Sequence, residues 1–383
     1  ACSSCFDDAS KSRRNLILPC LGSGRVYAVD TLADPRAPQL AHTLEPETIK
    51  AATGLTYLHT SHCLGSGEIL VSAMGDEEGN ARGGFMLLDQ ELNVKGMWGK
   101  DETPYGYDFW YQPHHNVMIS TGWGAPKAFS KGFDPSLVPT LYNSSIYVWD
   151  WKERTVVQTL PLGDEGLIPL EVRFKHDPKS SHGFVGAALS SNVIGINKVE
   201  DGKWAAKAVF KQEWTRVEGW ILPTVPPLIT DILLSLDDRY MYFSNWLRGD
   251  VVQLDITNPE APVVAGRIWL GGVLRKGSAV KVLGGLPDGL TEGPEIPLIK
   301  GQELRGGPQM LQLSLDGKRL YVTNSLYSAW DKQFYPEMVA KGSQLIIVDV
   351  NTETGGLTLN PDFLVDFGAE PGGPVLAHEV RYP

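Results

Sequence analysis

Leu234-Ser235-Leu236-Asp237-Asp238-Arg239-Tyr240-Met241-Tyr242-Phe243-Ser244-Asn245 and Leu313-Ser314-Leu315-Asp316-Gly317-Lys318-Arg319-Leu320-Tyr321-Val322-Thr323-Asn324 are one design written twice. Each is an apolar run, an Asp-rich turn and a β-favouring run, which together read as a hairpin. A second repeat is literal: Cys20-Leu21-Gly22-Ser23-Gly24 recurs as Cys63-Leu64-Gly65-Ser66-Gly67, each time before a strand. A third is a β run closing on Asp, at Val26 to Asp30, Phe85 to Asp89, Ile146 to Asp150, Val251 to Asp255 and Leu345 to Asp349. Most of these lead into a polar or Pro-bearing loop, such as Asn258-Pro259-Glu260-Ala261-Pro262.

Strand pairs punctuated by turns, with almost no helical period between them, predict an all-β array. Repeats of about 40 to 60 residues make it a β-propeller of roughly six or seven blades. A doubly wound α/β sheet would need crossover helices, and no sustained helical pattern recurs. With 383 residues the chain exceeds what one layered core usually holds, and radial repetition answers that. Residues 1–383 therefore read as a single propeller domain, with 1–15 an N-terminal segment carrying Cys2-Ser3-Ser4-Cys5. A lone CxxC, without a second pair or a thioredoxin-like setting, is a weak metal or redox signal.

Composition narrows the function. The net charge is −11, which offers no basic footprint for a phosphate backbone, so nucleic acid is excluded as a partner. No run approaches the roughly 18 apolar residues of a membrane span, and the first residues lack the plan of a signal peptide. The chain opens on Ala1, which suggests a processed or trimmed product. Four cysteines are too few for a disulfide scaffold, so the expected setting is cytoplasmic, or periplasmic if a leader preceded this chain.

The densest group of metal-capable side chains is His59-Thr60-Ser61-His62-Cys63. On a regular strand His59 and His62 face opposite ways, so they converge only through a bend or bulge; the reading stays open between ligation and ordinary core histidines. A second group is Tyr105-Gly106-Tyr107-Asp108-Phe109-Trp110-Tyr111-Gln112-Pro113-His114-His115, where aromatics precede adjacent histidines. If His114 and His115 lie on a strand, only one of them can be a ligand. His378 stands near the end of the chain. A propeller channel would let such distant rings meet, and the expectation is at least three in one cluster. Ser61 beside His62 lacks the Gly-x-Ser-x-Gly elbow of a hydrolase, and adjacent residues rarely pair as nucleophile and base.

The chain resembles the selenium-binding protein family, whose members are described as copper-dependent methanethiol oxidases. The resemblance runs from Cys2 to Pro383. It is carried by Cys2-Ser3-Ser4-Cys5-Phe6, Leu58-His59-Thr60-Ser61-His62-Cys63, Gly106-Tyr107-Asp108-Phe109-Trp110-Tyr111-Gln112-Pro113, Gly166-Leu167-Ile168-Pro169-Leu170-Glu171-Val172-Arg173-Phe174, Tyr327-Ser328-Ala329-Trp330-Asp331 and Ala377-His378-Glu379-Val380-Arg381-Tyr382-Pro383, among others. It implies a seven-bladed propeller that oxidises methanethiol with O2 and water to formaldehyde, hydrogen sulfide and hydrogen peroxide. Its shared histidines fall on His59, His62, His115, His176 and His378, the expected copper ligands, while His42, His114 and His182 are not required.

Family members carry a further N-terminal segment with a His-His-x-Gly-Trp motif and a short tail beyond the final Tyr-Pro. The expectation here is therefore a partial copper site and one incomplete blade. A soft thiolate suits copper, and neutral imidazoles let it change oxidation state. Carboxylates should orient the ligand rings: Asp108 and Asp231 are the candidates with catalytic roles, and Glu379 a third, which otherwise pairs with Arg381. The competing reading is a non-enzymatic propeller that binds selenium or protein partners through Cys2, Cys5 and Cys63.

Overall fold

The structure is a computed structural model and describes residues 14–381. The described residues fall into two compact units, 14–130 with 134–161, and 131–133 with 162–381. In the first unit three antiparallel sheets follow one another: β1 (Asn15–Pro19), β2 (Val26–Asp30) and β3 (Gln39–Leu44); β4 (Thr56–Cys63), β5 (Ile69–Gly75), β6 (Ala81–Leu88) and β7 (Val94–Met97); β8 (Phe109–Gln112), β9 (Val117–Ser120), β10 (Ser145–Asp150) and β11 (Thr155–Pro161).

In the second unit the four-stranded sheets are β12 (Pro169–Phe174), β13 (Gly183–Ala187), β14 (Asn192–Lys198) and β15 (Trp204–Phe210); then, after β16 (Thr215–Glu218) and β17 (Thr224–Val225), β18 (Ile229–Leu234), β19 (Tyr240–Asn245), β20 (Asp250–Asp255) and β21 (Val263–Trp269). The short β22 (Lys281–Gly284) joins β16 and β17, and β23 (Leu298–Ile299) pairs β24 (Gln302–Glu303). The last sheet is β25 (Leu311–Leu313), β26 (Arg319–Val322), β27 (Gln344–Val350) and β28 (Leu357–Asp366). Strands taken in sequence order, each pairing its predecessor, are the blades of a β-propeller, so the all-β propeller class read from the sequence is the class observed.

The core lies between consecutive blades. Phe85 and Leu70 of one sheet meet Phe109, Tyr147 and Trp149 of the next. In the second unit Tyr240, Tyr242 and Val251 meet Leu311, Leu320 and Val348. Each such side chain contributes about 1.5–3 kcal/mol on burial. Outer strands are wetter: β3 is exposed over its first four residues, whereas all seven of β5 are buried.

The terminal Asp of the β runs has a physical reason. Asp30 Oδ1 accepts from the amides of Leu32 and Ala33 at 2.9 and 3.2 Å, Asp150 Oδ1 from Lys152 and Glu153 at 3.0 and 2.8 Å, and Asp255 Oδ1 from Thr257 at 2.8 Å. Each carboxylate caps the turn that leaves its blade's third strand. On that signature β2 is a third strand too, so β1–β3 are the second to fourth strands of a blade. Among the described residues β1 pairs β2 alone. The letter-for-letter repeat is less informative than it looks. Cys20–Gly24 turns between a second and a third strand, Cys63–Gly67 between a first and a second.

The matched hairpins differ at one telling position. Gly317 turns with φ 71°, and Asp238, its counterpart, holds φ 59°. Asp tolerates this left-handed region better than most residues. Its carboxylate also accepts from the amides of His176 and Asp177 at 2.7 and 2.9 Å, tying the turn of the preceding blade to its own.

Candidate functional site

In the first unit the site begins with an irregular strand. In β4 Leu58 pairs Ala73 and Ser61 pairs Val71, so three steps along β4 match two along β5. The extra residue is a bulge at His59-Thr60, where the Thr60 amide donates to Ser72 Oγ at 2.9 Å. The bulge cancels the odd spacing and puts both imidazoles on one face. The His59 ring lies 3.9 Å from that of Tyr107, and the His62 ring 4.6 Å from Phe109, two residues on. Trp110 and Tyr111 meet the His62 ring edge-on at 5.0 and 5.7 Å. The Tyr111 hydroxyl donates to the Cys63 carbonyl at 3.1 Å. The bend that the sequence requires for convergence is therefore built, and its wall is aromatic.

His114 and His115 are not on a strand. They occupy a 3-10 turn between β8 and β9, rings perpendicular at 5.1 Å, so strand alternation does not decide between them.

In the second unit His176 and His378 stand at opposite ends of their blades. His176 follows β12, with Nδ1 2.9 Å from Asp238 Oδ1 and its side chain 38% exposed. His378 lies beside the loop after β26, with Nδ1 3.0 Å from the Ser325 carbonyl oxygen. A carbonyl only accepts, so Nδ1 carries a proton, and the neutral ring then keeps its lone pair on Nε2, as a metal ligand or a base requires. Behind this contact Ser325 Oγ donates to Asp331 Oδ2 at 2.7 Å and the Leu326 amide to Oδ1 at 3.0 Å. Asp331 is inaccessible, and burial pushes its carboxyl up to about 6 against the pull of these donors and of His378.

Asp231 lies on β18. One oxygen accepts from the Leu311 amide at 2.7 Å, and the other lies 3.8 Å from the Arg173 guanidinium. Burial pushes this carboxyl up to about 7, opposed first by Arg173. Arg173 itself donates to Glu171 at 2.7 Å and to the Val172 carbonyl at 2.7 Å, a buried pair two residues apart on one face of β12. Asp108 is buried beside β8, its backbone amide 3.3 Å from Thr121 Oγ1 and its carbonyl accepting from the Thr121 amide at 3.0 Å. Glu379 pairs with Arg381, the surface role weighed for it. Cys2 and Cys5 lie outside the described residues.

Among the described residues no three His, Cys, Asp or Glu side chains stand close enough to hold one metal ion. The sequence reading expects a cluster of at least three rings; none is found among the described residues, and within the first unit His59 and His62 share one strand face. In the second unit the physical reason is placement, since His176 belongs to a first-to-second-strand turn, whereas His378, beyond the last strand, packs against a second-to-third-strand loop. The donors nevertheless fit copper in kind, being imidazoles held through Nδ1 with Nε2 presented, at His176 and His378 alike. Sequence reasoning missed Ser325, Asp331 and the Glu171–Arg173 pair. Charges alternating through Glu171-Val172-Arg173-Phe174 in a strand signal the last, whereas the first two converge only through a loop.

Successive meanders bearing anchored imidazoles define a histidine-bearing β-propeller. The chain belongs to the 56 kDa selenium binding protein family (SBP56), whose model matches residues 1–383. It is 59% identical to methanethiol oxidase of Xenopus tropicalis, covering 100% of this chain and 81% of that one. It is 56% identical to human methanethiol oxidase over 100% of this chain and 81% of the relative. Selenium-binding protein 1 of Arabidopsis thaliana is 59% identical, with 100% and 79% covered. Among solved structures, a hypothetical selenium-binding protein from Sulfolobus tokodaii superposes with TM-score 0.84 at 36% identity, covering 96% of this chain and 79% of that one. Among the described residues no helix is long and apolar enough to cross a membrane.

Proposed function

We infer that the chain is a methanethiol oxidase that works with copper, converting methanethiol, O2 and water to formaldehyde, hydrogen sulfide and hydrogen peroxide. The observation that carries this reading is identity of 56–59% over the whole chain to relatives named methanethiol oxidase. The candidate ligands are His59, His62, His115, His176 and His378, of which the bulge-paired rings and the anchored His378 have the strongest local support. Copper, when bound, supplies a soft partner for the thiolate sulfur and a path for electrons to O2.

The remaining work falls to the protein. The aromatic wall formed by Phe109, Trp110 and Tyr111 around His62 suits a small apolar methyl group and excludes water. Asp231, with its carboxyl near 7, holds or releases a proton at neutral pH, which oxidation of a thiol requires. Asp108, buried next to the aromatic wall, is the second carboxylate assigned a catalytic role. Four cysteines in 383 residues are too few for a disulfide scaffold, and the cytoplasm is the proposed location.

The test is turnover of methanethiol by purified protein, copper-loaded and copper-stripped, with formaldehyde, sulfide and peroxide measured in the same vessel. Equal yields from the loaded protein alone support the reading, and loaded protein that leaves methanethiol untouched sinks it. The names of the Arabidopsis relatives favour a second reading, selenium binding through Cys2, Cys5 or Cys63. Copper-free protein that retains selenium and loses it on Cys63→Ala or Cys2→Ala would favour that alternative.

A further inference from the structure

We propose that Asp331 is a positioning residue that acts through the Ser325–Leu326 peptide to present His378 with its lone pair on Nε2. The inference deepens the oxidase reading, on which the use of His378 rests.

The geometry is that of a single peptide plane. The Leu326 N–H and the Ser325 C=O belong to the same trans unit, so they point in opposite directions. Asp331 Oδ1 takes the Leu326 N–H at 3.0 Å, and Oδ2 takes the hydroxyl of Ser325 at 2.7 Å. Held on one side by both carboxylate oxygens, the plane turns its carbonyl to the other side, where His378 Nδ1 meets it at 3.0 Å. Charge-assisted hydrogen bonding to the N–H also polarises the unit and makes the carbonyl a stronger acceptor.

The other half of the alignment comes from the backbone around His378. The Thr323 hydroxyl donates to the His378 carbonyl at 2.6 Å, and the Ala377 amide donates to Ser343 Oγ. Two residues earlier Val375 is fixed at both ends, its amide to the Phe367 carbonyl at 3.1 Å and its carbonyl to the Ser343 amide at 3.0 Å. His378 thus meets the carbonyl from a chain with little freedom of its own, and the ring's remaining choice is which nitrogen bears the proton. Asp331 makes that choice without touching the ring. It is fully buried, in a helix (Ser328–Phe334) that begins three residues after Ser325. A carboxylate whose only task was to cap that turn would not need the loop's carbonyl aimed at a histidine.

Asp331→Asn tests this, because the amide removes the negative charge and puts an NH2 donor where one carboxylate oxygen accepted, so the pair of charge-assisted bonds from the Ser325 hydroxyl and the Leu326 N–H is lost. Ser325→Ala, which removes one donor and keeps the carbonyl, is the milder variant, and Ser325→Thr should rescue. The first readout is the ring nitrogen chemical shifts of His378 in full-length, metal-free protein. The wild type should show the Nδ1–H tautomer, with mixed tautomers in Asp331→Asn and Ser325→Ala and the wild-type pattern in Ser325→Thr. The second is copper affinity by chelator competition, expected to fall roughly tenfold to a hundredfold in Asp331→Asn. Folded variants that keep the wild-type ring shifts would overturn the proposal, as would an Nε2–H ring in the wild type. Should Asp331→Asn fail to fold, Ser325→Ala decides by the same spectrum. If His378→Ala turns over methanethiol as the wild type does, the oxidase role of His378 fails, while the ring spectrum still judges the positioning claim separately.

Discussion

His59 and His62, three residues apart on β4, share one face of that strand because the bulge at His59-Thr60 adds a residue that β5 does not match. Their rings consequently rest on Tyr107 and Phe109, themselves two apart. Deleting Thr60 should remove the bulge yet leave the two histidines two apart on a regular strand, still on one face. Copper affinity should therefore survive the deletion, whereas His62→Ala should lower it by roughly tenfold or more. A chelator titration alongside thermal unfolding checks this; affinity in the deletion as low as in His62→Ala would contradict the shared-face account.

Asp231 should make stability fall as pH rises. Its carboxyl, near 4 in an unfolded chain, is pushed up to about 7 in the fold. Between those values the folded state holds a proton that the unfolded state has released. Stability contributed by the neutral acid is therefore full below about pH 4 and lost as pH rises through about 7. Asp231→Asn stays neutral throughout, so it should gain on the wild type between pH 5 and pH 8. Unfolding by denaturant at several pH values measures the difference, and parallel curves would contradict the assignment.

Arg173→Met should destabilise strongly. Glu171 and Arg173 are both nearly inaccessible, and removing the guanidinium takes away its ion pair with Glu171 and the cation that lies 3.8 Å from Asp231. Breaking a buried pair from one side costs about 3–5 kcal/mol. The double variant Glu171→Met with Arg173→Met should recover much of that loss, because the Glu171 charge is removed together with its partner.

Asp238→Gly separates backbone strain from side-chain bonding. Glycine relieves the positive φ, worth about 1 kcal/mol, and loses the bonds to the amides of His176 and Asp177 and to His176 Nδ1. The net expectation is a loss of about 1–2 kcal/mol, read by denaturant unfolding, together with a freed His176 ring seen in its NMR shifts.

The blades were legible because their signals are local. An Asp that caps the exit of a third strand, or a Ser-x-Asp turn within a hairpin, acts over two to five residues and leaves the same letters each time. The bulge was legible only as a condition, since the odd spacing of His59 and His62 demands one but their neighbours do not announce it. The limit of one ligand in His114-His115 rests on strand alternation, whereas Pro113 opens a 3-10 turn there and that rule does not apply. Asp331 and Ser325 went unseen because their link to His378 spans more than fifty residues and runs through a backbone carbonyl, which no side-chain pattern encodes.

The most direct measurement is copper bound per chain, by elemental analysis, with methanethiol turnover on the same samples of wild type, His62→Ala and His378→Ala. Near-stoichiometric copper in the wild type, with copper and turnover lost together in both variants, is the predicted result. Wild-type copper and turnover retained in the two variants, or turnover in protein free of copper, would contradict it.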